Sequence, residues 1–558
     1  MIPLKLNKMN TYIKAKKILS GSILALMLFG ISSCEKELEQ YPNDQFAKGN
    51  FWTNETNAMI ALTGVYRGDI TYGGQVNPSD WWTYSGLIFF EHATDNAFDR
   101  RGKNAAQNRF TNGTLLPDNP VVRAHWNSSY TRIAICNDFL ENIGVAEMIE
   151  TTKKRMIAET RFIRATQYFY LSQFWGAVPL VTKTLTPDEA NEVTKTSKSE
   201  IINFITDEFS QAAADLPRYK EIPDSEFGRA SKQAALAFLG RVYLAEKRFA
   251  EASTVYKEII DYGDNIIAPD YESIFNDVDE QSSENIFSIQ YTAGQAGNFL
   301  TQHAFPANAG GWHIVNPLES LASQYDFTDG SPFSYDDPRF NPANMGENRD
   351  PRFAATFLYD GVIFMGKEYD CHPDHSSSVD QLTYSKQATR TGYGLRKFFN
   401  NNFSGDLKTG YGGNVPIIRF AEVLLSYLEA ELEAGNPITQ ELLNMTINKT
   451  RGRESVQMPP ITETNPDALR PLLRKERRIE LALEGIRYWD LLRWEILGDV
   501  MQGDFWGASF PDANNTGSKV DPTGNRRWWV DNKAFRKGQD EVWPIPQSEQ
   551  DINPNLRD

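Results

Sequence analysis

Residues 231–263 read SKQAALAFLGRVYLAEKRFAEASTVYKEIIDYG. Leu236, Leu239, Gly240 and Tyr243 fall on one face at helical spacing, and after a short turn at 247–249, Ala252 and Tyr256 do the same on a second helix. This is a helix hairpin in which small residues let two backbones approach and large ones fill the space between them. One such unit cannot bury its apolar face, so at least three must stack. The rest of the chain is therefore read for the other members of the stack and for what hangs on them.

The order L-x-x-L-G-x-x-Y, followed by Ala252 and Tyr256, matches the tetratricopeptide (TPR) pattern. Upstream, helical periodicity covers 57–67, 121–143 and 153–175, the last with a stripe of Ile157, Ala158, Phe162, Ala165, Phe169 and Ser172 and a stop at Gly176; 199–215 is its expected partner. Periodicity returns at 417–434, stopped by Gly435-Asn436-Pro437, then at 439–449, and last over 467–496 with Leu472, Ile479, Leu483, Ile486 and Trp489 on one side. Between these blocks, 264–415 is rich in Asn, Gly, Asp, Pro and aromatics, with short strand-like pieces such as 285–291 and 361–364. An insert of that length without long helices points to function. The fold class expected is mainly α: a TPR-like helical-hairpin solenoid with long irregular loop insertions and a few short strands. One domain is expected over 49–558, with helices mainly in 121–263 and 416–496. The tail after 496 is aromatic, with Trp506, Trp528, Trp529 and Trp543, and no element is assigned to it.

Apolar residues make up 41% and aromatic ones 12% of the 558, enough for a packed core. The chain carries 57 basic and 73 acidic residues, net charge −16; the charges before Cys34 are five lysines (Lys5, Lys8, Lys14, Lys16, Lys17), and removing them takes −16 to −21. A field of that sign repels phosphate, so no general affinity for nucleic acid or anionic lipid is expected. It also disfavours a strongly anionic polysaccharide, unless the local basic run Arg100-Arg101-Lys103 overrides it.

Lys14, Lys16 and Lys17 precede an apolar run over 23–31 that is too short to span a bilayer and right for a signal peptide. It ends Ile31-Ser32-Ser33-Cys34, an apolar residue, two small ones and a thiol, the form of a bacterial lipobox. Residues 1–33 are thus expected to be a lipoprotein signal peptide, Cys34 the lipidated N-terminus that anchors the protein, and 34–48 a solvated tether. Cys136 and Cys371 stand far apart in sequence, and no spacing decides whether they pair.

There is no G-x-S-x-G elbow, P-loop or dinucleotide fingerprint. Paired carboxylates about 5–10 Å apart can come from anywhere in a fold, so glycoside hydrolysis stays open on residues alone. The charge-dense run 474–494 sets Arg477 with Glu480, Glu484 with Arg487 and Asp490 with Arg493 at i,i+3, which reads as self-paired scaffold along one helix. Cys371-His372-Pro373-Asp374-His375 gathers metal-ligand types without a second pair at zinc spacing. Asp326, Asp329, Asp336 and Asp337 offer oxygen ligands outside any EF-hand loop; no cofactor is expected, and a structural calcium stays unassigned.

Recognition of a sugar asks for less: a flat aromatic covers the apolar face of the ring while Asn, Asp, Arg and Gln take its hydroxyls. Two irregular regions supply that combination. The first has Trp81, Trp82 and Tyr84 followed by Asp95, Asn96 and Arg100; the second has Trp312 and His313 with Asn308 in a GGWH turn, joined by Tyr393 of TGYG. With 12 tryptophans in the chain, most must pack in the core.

Five stretches follow one another behind the lipobox and around the hairpin: Phe51-Trp52 before NAMIALTGVY, AETRFIRATQYFYLSQFWGAVPL at 158–180, PIIRFAEVLLSYLEAELEAG at 416–435, RKERRIELALEGIRYWDLLRW at 474–494, and WPIPQSEQDINPNL at 543–556. Together they resemble the SusD/RagB-like nutrient-binding outer-membrane lipoproteins of Gram-negative bacteria. The resemblance implies a lipid-anchored protein exposed on the cell surface, which binds a glycan and delivers it to a SusC-like TonB-dependent transporter on which it sits as a lid. It implies no catalysis. It also implies that the ligand aromatics come from loops in comparable regions, including 264–415. The alternatives are a surface-anchored glycoside hydrolase, which would release reducing ends, and a TPR scaffold that binds peptide or protein and ignores glycan.

Overall fold

The computed structural model describes residues 51–68, 80–276, 279–382 and 387–557; the signal peptide, Cys34 and the tether 34–48 lie outside the described residues. The chain divides into Met1–Thr53 and Asn54–Asp558. In the first unit the rings of Phe51 and Trp52 meet edge to face at 5.3 Å.

The second unit is built on helices. α1 (Glu55–Arg67) opens where the Asn54 side chain accepts the Asn57 N–H, and α2 (Pro120–Asn142) where Asn119 accepts from Val121 and Val122 ahead of a proline that suits the first turn. α3 (Glu150–Phe174) is buried almost all round from Ala158 onward, although Ile157 of the expected stripe is only half-buried. α4 (Lys198–Asp215) starts on a capping box of Ser197 and Glu200. The TPR-like hairpin is α5 (Lys232–Ala245) and α6 (Phe249–Tyr262).

Gly240 is where those two helices meet: a Cβ there would lie 2.4 Å from the Tyr256 ring. Gly240→Ala would gain about 1 kcal/mol of helix propensity and lose about 1–3 kcal/mol to overpacking. The net expectation is a melting temperature lower by a few degrees; an unchanged or higher one in a thermal melt would refute the close approach.

α7 (Phe420–Glu433), α8 (Gln440–Met445), α9 (Ile447–Arg451) and α10 (Pro466–Glu480) follow the insert. Packing runs α2 on α3, α3 on α4, α4 on α5, α5 on α6, α6 on α7 and α7 on α10, so the late helices continue the stack begun by the early ones. Among the described residues, no helix is long and apolar enough to cross a membrane.

The helix expected over 467–496 is two. α10 stops at Glu480, Leu483 and Gly485 take left-handed backbone (φ +64° and +81°), and α11 (Arg487–Arg493) starts afresh. The break is held from elsewhere, because the Gly485 N–H donates to buried Glu91 at 2.7 Å. It also rearranges the charges. Of the three i,i+3 pairs expected along one helix, Asp490–Arg493 forms (2.8 Å). Arg477 instead meets Asp490, Glu484 meets Arg419 and Lys397, Arg487 meets Asp95, and Glu480 takes Arg352, Arg419 and Arg453 at 2.9, 3.2 and 2.8 Å. The network is scaffold, but it ties distant segments together rather than running along one helix. The helix expected over 439–449 is likewise broken, at Thr446.

Strands are short and antiparallel. β1 (Ala97–Asp99) pairs with β3 (Val315–Pro317), and β2 (Asn285–Ile289) with β4 (Val415–Arg419). β4 corrects the expectation that α7 begins at 417, since Ile417–Arg419 is extended. The tail, where periodicity names no element, forms a hairpin of β5 (Gln502–Ser509) and β6 (Arg527–Ala534). Trp543 then enters the core, its indole donating to the Tyr488 hydroxyl at 3.1 Å. Cys136 and Cys371 are free and buried. Asp326 is paired with Lys475, and Asp329 and Asp337 with Arg339; His372 faces Asp512 and His375 faces Asp370.

Candidate functional site

The β1–β3 pairing joins the two regions that the sequence singles out, with Asp99 opposite Val315 and the Arg100 N–H on the Ile314 carbonyl at 3.1 Å. The GGWH turn is locked to the segment before it. Trp312 N–H donates to Gln302 O (2.7 Å), His313 N–H to Phe305 O (3.0 Å) and Ile314 N–H to His303 O (2.7 Å). Gly311 can only be glycine here, because a Cβ would sit 2.1 Å from the Phe305 carbonyl oxygen. A turn so fixed holds the Trp312 side chain at the surface, 37% exposed, the sole aromatic among the exposed large apolar side chains of the described residues.

Beneath Trp312 lies His303, ring centroids 5.1 Å apart, and beneath His303 lies Tyr84, whose hydroxyl is 2.8 Å from His303 Nδ1. Burial, reinforced by Arg101, pushes His303 down to about 4, so the ring under the tryptophan is neutral at pH 7. The rim is polar. Asn308 donates to Glu368 O (2.8 Å), Lys367 Nζ donates to Asn308 O (2.7 Å), and Asp380 fixes the loop by accepting the Ala307 and Asn308 N–H groups. Arg101 is clamped on buried Asp99, and Arg390 Nε donates to Arg100 O.

Most residues picked from the sequence lie elsewhere. The expectation that Trp81 and Trp82 offer a face to ligand is corrected by burial. Trp81 is 1% exposed, stacked on His125 (3.9 Å), Tyr170 (4.6 Å) and Phe174 (5.2 Å), and Trp82 packs edge-on to Phe287 (5.1 Å) under the Arg132 guanidinium. Tyr84 is buried and supports the site through His303. Asp95 and Asn96 are buried as well. Burial alone would raise the Asp95 carboxyl, but Arg478 and Arg487 hold it down at about 2; Asn96 donates to Glu91 and accepts from Arg478. His313 is fully buried and pushed down to about 3 by that burial and by Arg100. Tyr393 is buried with its hydroxyl on Glu319 (2.8 Å). Trp312 and the half-buried Arg100 and Asn308 are the three that reach the surface. His303, Lys367 and Arg390 escaped sequence reasoning, since none has a local pattern: His303 meets the Trp312 ring, Lys367 reaches the Asn308 carbonyl, and Arg390 reaches Asn316 and the Arg100 carbonyl.

Trp81→Ala is accordingly expected to cost about 3–5 kcal/mol of stability while sparing any ligand affinity of the folded fraction. Denaturant melts beside binding titrations check it; a normal melt with lost binding would return Trp81 to the site.

Residues 271–558 match the SusD family, and 71–244 match a family described as starch-binding associating with outer membrane. A SusD-like carbohydrate-binding protein from Bacteroides fragilis, known by crystal structure, is 50% identical, with a TM-score of 0.89 over 91% of this chain and all of that one. SusD-like protein P25 of Formosa agariphila is 24% identical over 97% of this chain and 98% of its own. A laminarin-binding SusD-like protein, 22% identical with a TM-score of 0.65 over 90% of this chain and 98% of its own, shares the fold. With half of its length matched directly and the helical stack in the same form, this chain belongs to the SusD family.

Proposed function

We propose that this protein is a surface lipoprotein of the outer membrane, anchored through Cys34, that binds an oligosaccharide or polysaccharide at Trp312 and passes it to a SusC-like TonB-dependent transporter without cleaving it. The observation that carries the reading is the rigid, outward Trp312 over neutral His303, on a loop whose Asn308 carbonyl accepts from Lys367. An aromatic plate with polar groups at its edge is what a sugar ring requires. The half-identical Bacteroides fragilis relative, described as carbohydrate-binding, supports the same ligand class. Affinity should be modest, because one plate buries little area and hand-over requires release.

The test is affinity electrophoresis of the protein from residue 35 onward in gels containing single polysaccharides, with reducing-end release assayed in parallel. Retardation by one polysaccharide without release is expected. Release that disappears on changing a carboxylate would make the protein a hydrolase, and retardation by none would overturn the glycan reading. Co-purification of a TonB-dependent barrel with the tagged protein from native membranes tests the partner.

A further inference from the structure

The aromatic tail supplies a second surface, on elements other than the Trp312 turn. In the β5–β6 hairpin Asp504 stands opposite Asn532, Phe505 opposite Asp531 and Trp506 opposite Trp529. Side chains alternate along a strand, and the irregularity between Trp529 and Asp531 adds one residue to β6, so Trp529 falls on the same side as Asn532. One side of the hairpin thus carries Phe505, Asp531 and Lys533, all buried; the other carries half-buried Asp504, Trp506 and Trp529 with exposed Asn532. Two tryptophans occupy the side that a one-sided antiparallel pair gives to polar residues.

Hydrogen bonds confirm the shared side and fix the ring. Asp504 Oδ1 accepts from Trp529 Nε1 at 2.9 Å and from Asn532 Nδ2 at 3.3 Å, and its other oxygen pairs with Lys519. Lys519 and the indole hold the Asp504 carboxyl below the usual range, so it stands as an ionised acceptor. Among the described residues no ring contact joins the two indoles, so they are not a cross-strand aromatic pair serving the sheet itself. Arg527 lies over Trp506 at 5.3 Å, and no other ring or cation lies on Trp529.

An indole pinned by its edge, with a carboxylate, an amide and an ammonium beside it, suits the apolar face and the hydroxyl rim of a sugar. The core of a protein interface excludes charge, whereas here Asp504 and Lys519 border the ring. The Asp504 charge also disfavours an anionic unit. We propose that the outer side of the β5–β6 hairpin is a second glycan subsite, where a neutral stretch of polysaccharide lies on Trp529 with Asp504, Asn532 and Lys519 at its hydroxyls. This rests on the glycan reading above and extends it, because two subsites on one chain raise the retention of a long polymer beyond that of either alone.

Affinity electrophoresis of the protein from residue 35 onward in laminarin, starch and galactomannan gels, with alginate as the anionic comparison, tests it. Trp529→Ala should weaken retardation by the neutral polymer that holds the wild type about three- to tenfold, as loss of one aromatic plate does. Trp312→Ala should keep a residual retardation that adding Trp529→Ala removes. Asn532→Ala, at an exposed position, should weaken retardation about threefold without removing a ring. Thermal melts of each variant show that it folds. Retardation that Trp529→Ala and Asn532→Ala both leave unchanged, or retardation by alginate alone, overturns this proposal and leaves the glycan reading standing. Unchanged retardation with loss of a co-purifying protein from the Trp529→Ala variant would make the surface a protein contact instead. Retardation by no polymer overturns both readings.

Discussion

Trp312→Ala is expected to lose about 2 kcal/mol or more of ligand binding, a weakening of roughly thirtyfold or greater, while the fold stays intact. The asymmetry follows from its position. The turn that carries it is fixed by backbone bonds to Gln302, Phe305 and His303, none of which needs the indole. The side chain keeps 37% of its surface exposed and contributes one ring contact, to His303. Its removal should therefore cost only about 1 kcal/mol of stability, within the ordinary range for a partly exposed site. Titration calorimetry with the retained polysaccharide, beside a thermal melt, separates the two effects. A variant that binds as wild type would move the site away from this turn, and one that unfolds would make the tryptophan structural.

Glu480→Ala should have the opposite profile, a large loss of stability. Glu480 is fully buried, and three guanidiniums, those of Arg352, Arg419 and Arg453, converge on its two oxygens. Burial disfavours its charge, yet those arginines hold its carboxyl well below the usual range. Deleting it leaves buried cations short of a counter-charge, and breaking a buried pair costs about 3–5 kcal/mol. Against a typical net stability of about 5–15 kcal/mol, that is enough to lower soluble yield and shift urea unfolding strongly. A variant with wild-type unfolding would show that Glu476 and Glu284, which also reach Arg352 and Arg419, neutralise the cluster without it.

The same network sets the acid limit of the fold. Glu429, paired with Arg493, and Asp95, paired with Arg478 and Arg487, are held at about 2 in spite of burial. A carboxylate whose pKa is lowered by folding contributes stability that is complete above its unfolded value, near 4, and is lost as pH falls through its folded value. The protein should thus unfold between about pH 4.5 and 2, these two groups accounting for about 5 kcal/mol of the loss. Circular dichroism across that range checks it. Added salt should change the midpoint little, because the pairs are shut away from solvent.

Much of the architecture is legible because it is local. Helical spacing in 231–263 and the stops at Gly176 and Gly435 act within a few residues, so they can be read in order along the chain. The same spacing fails at Gly485. There the pattern runs on through a break made by Leu483, Gly485 and a hydrogen bond donated to a glutamate almost four hundred residues earlier.

The binding face follows the same division. The sequence by itself determined that aromatic residues on loops with polar neighbours occur near 81–100 and 308–313, since that is a matter of composition. Only the tertiary structure decided that Trp81 belongs to a stack with His125, Tyr170 and Phe174, while Trp312 stands in water. Whether a ring is covered depends on the segments that arrive from elsewhere, and no spacing along the chain encodes their arrival. Charge obeys the same logic: i,i+3 spacing names which groups can meet on one helix, but Arg487 goes to Asp95 and Arg419 to Glu480 because packing places those partners nearer.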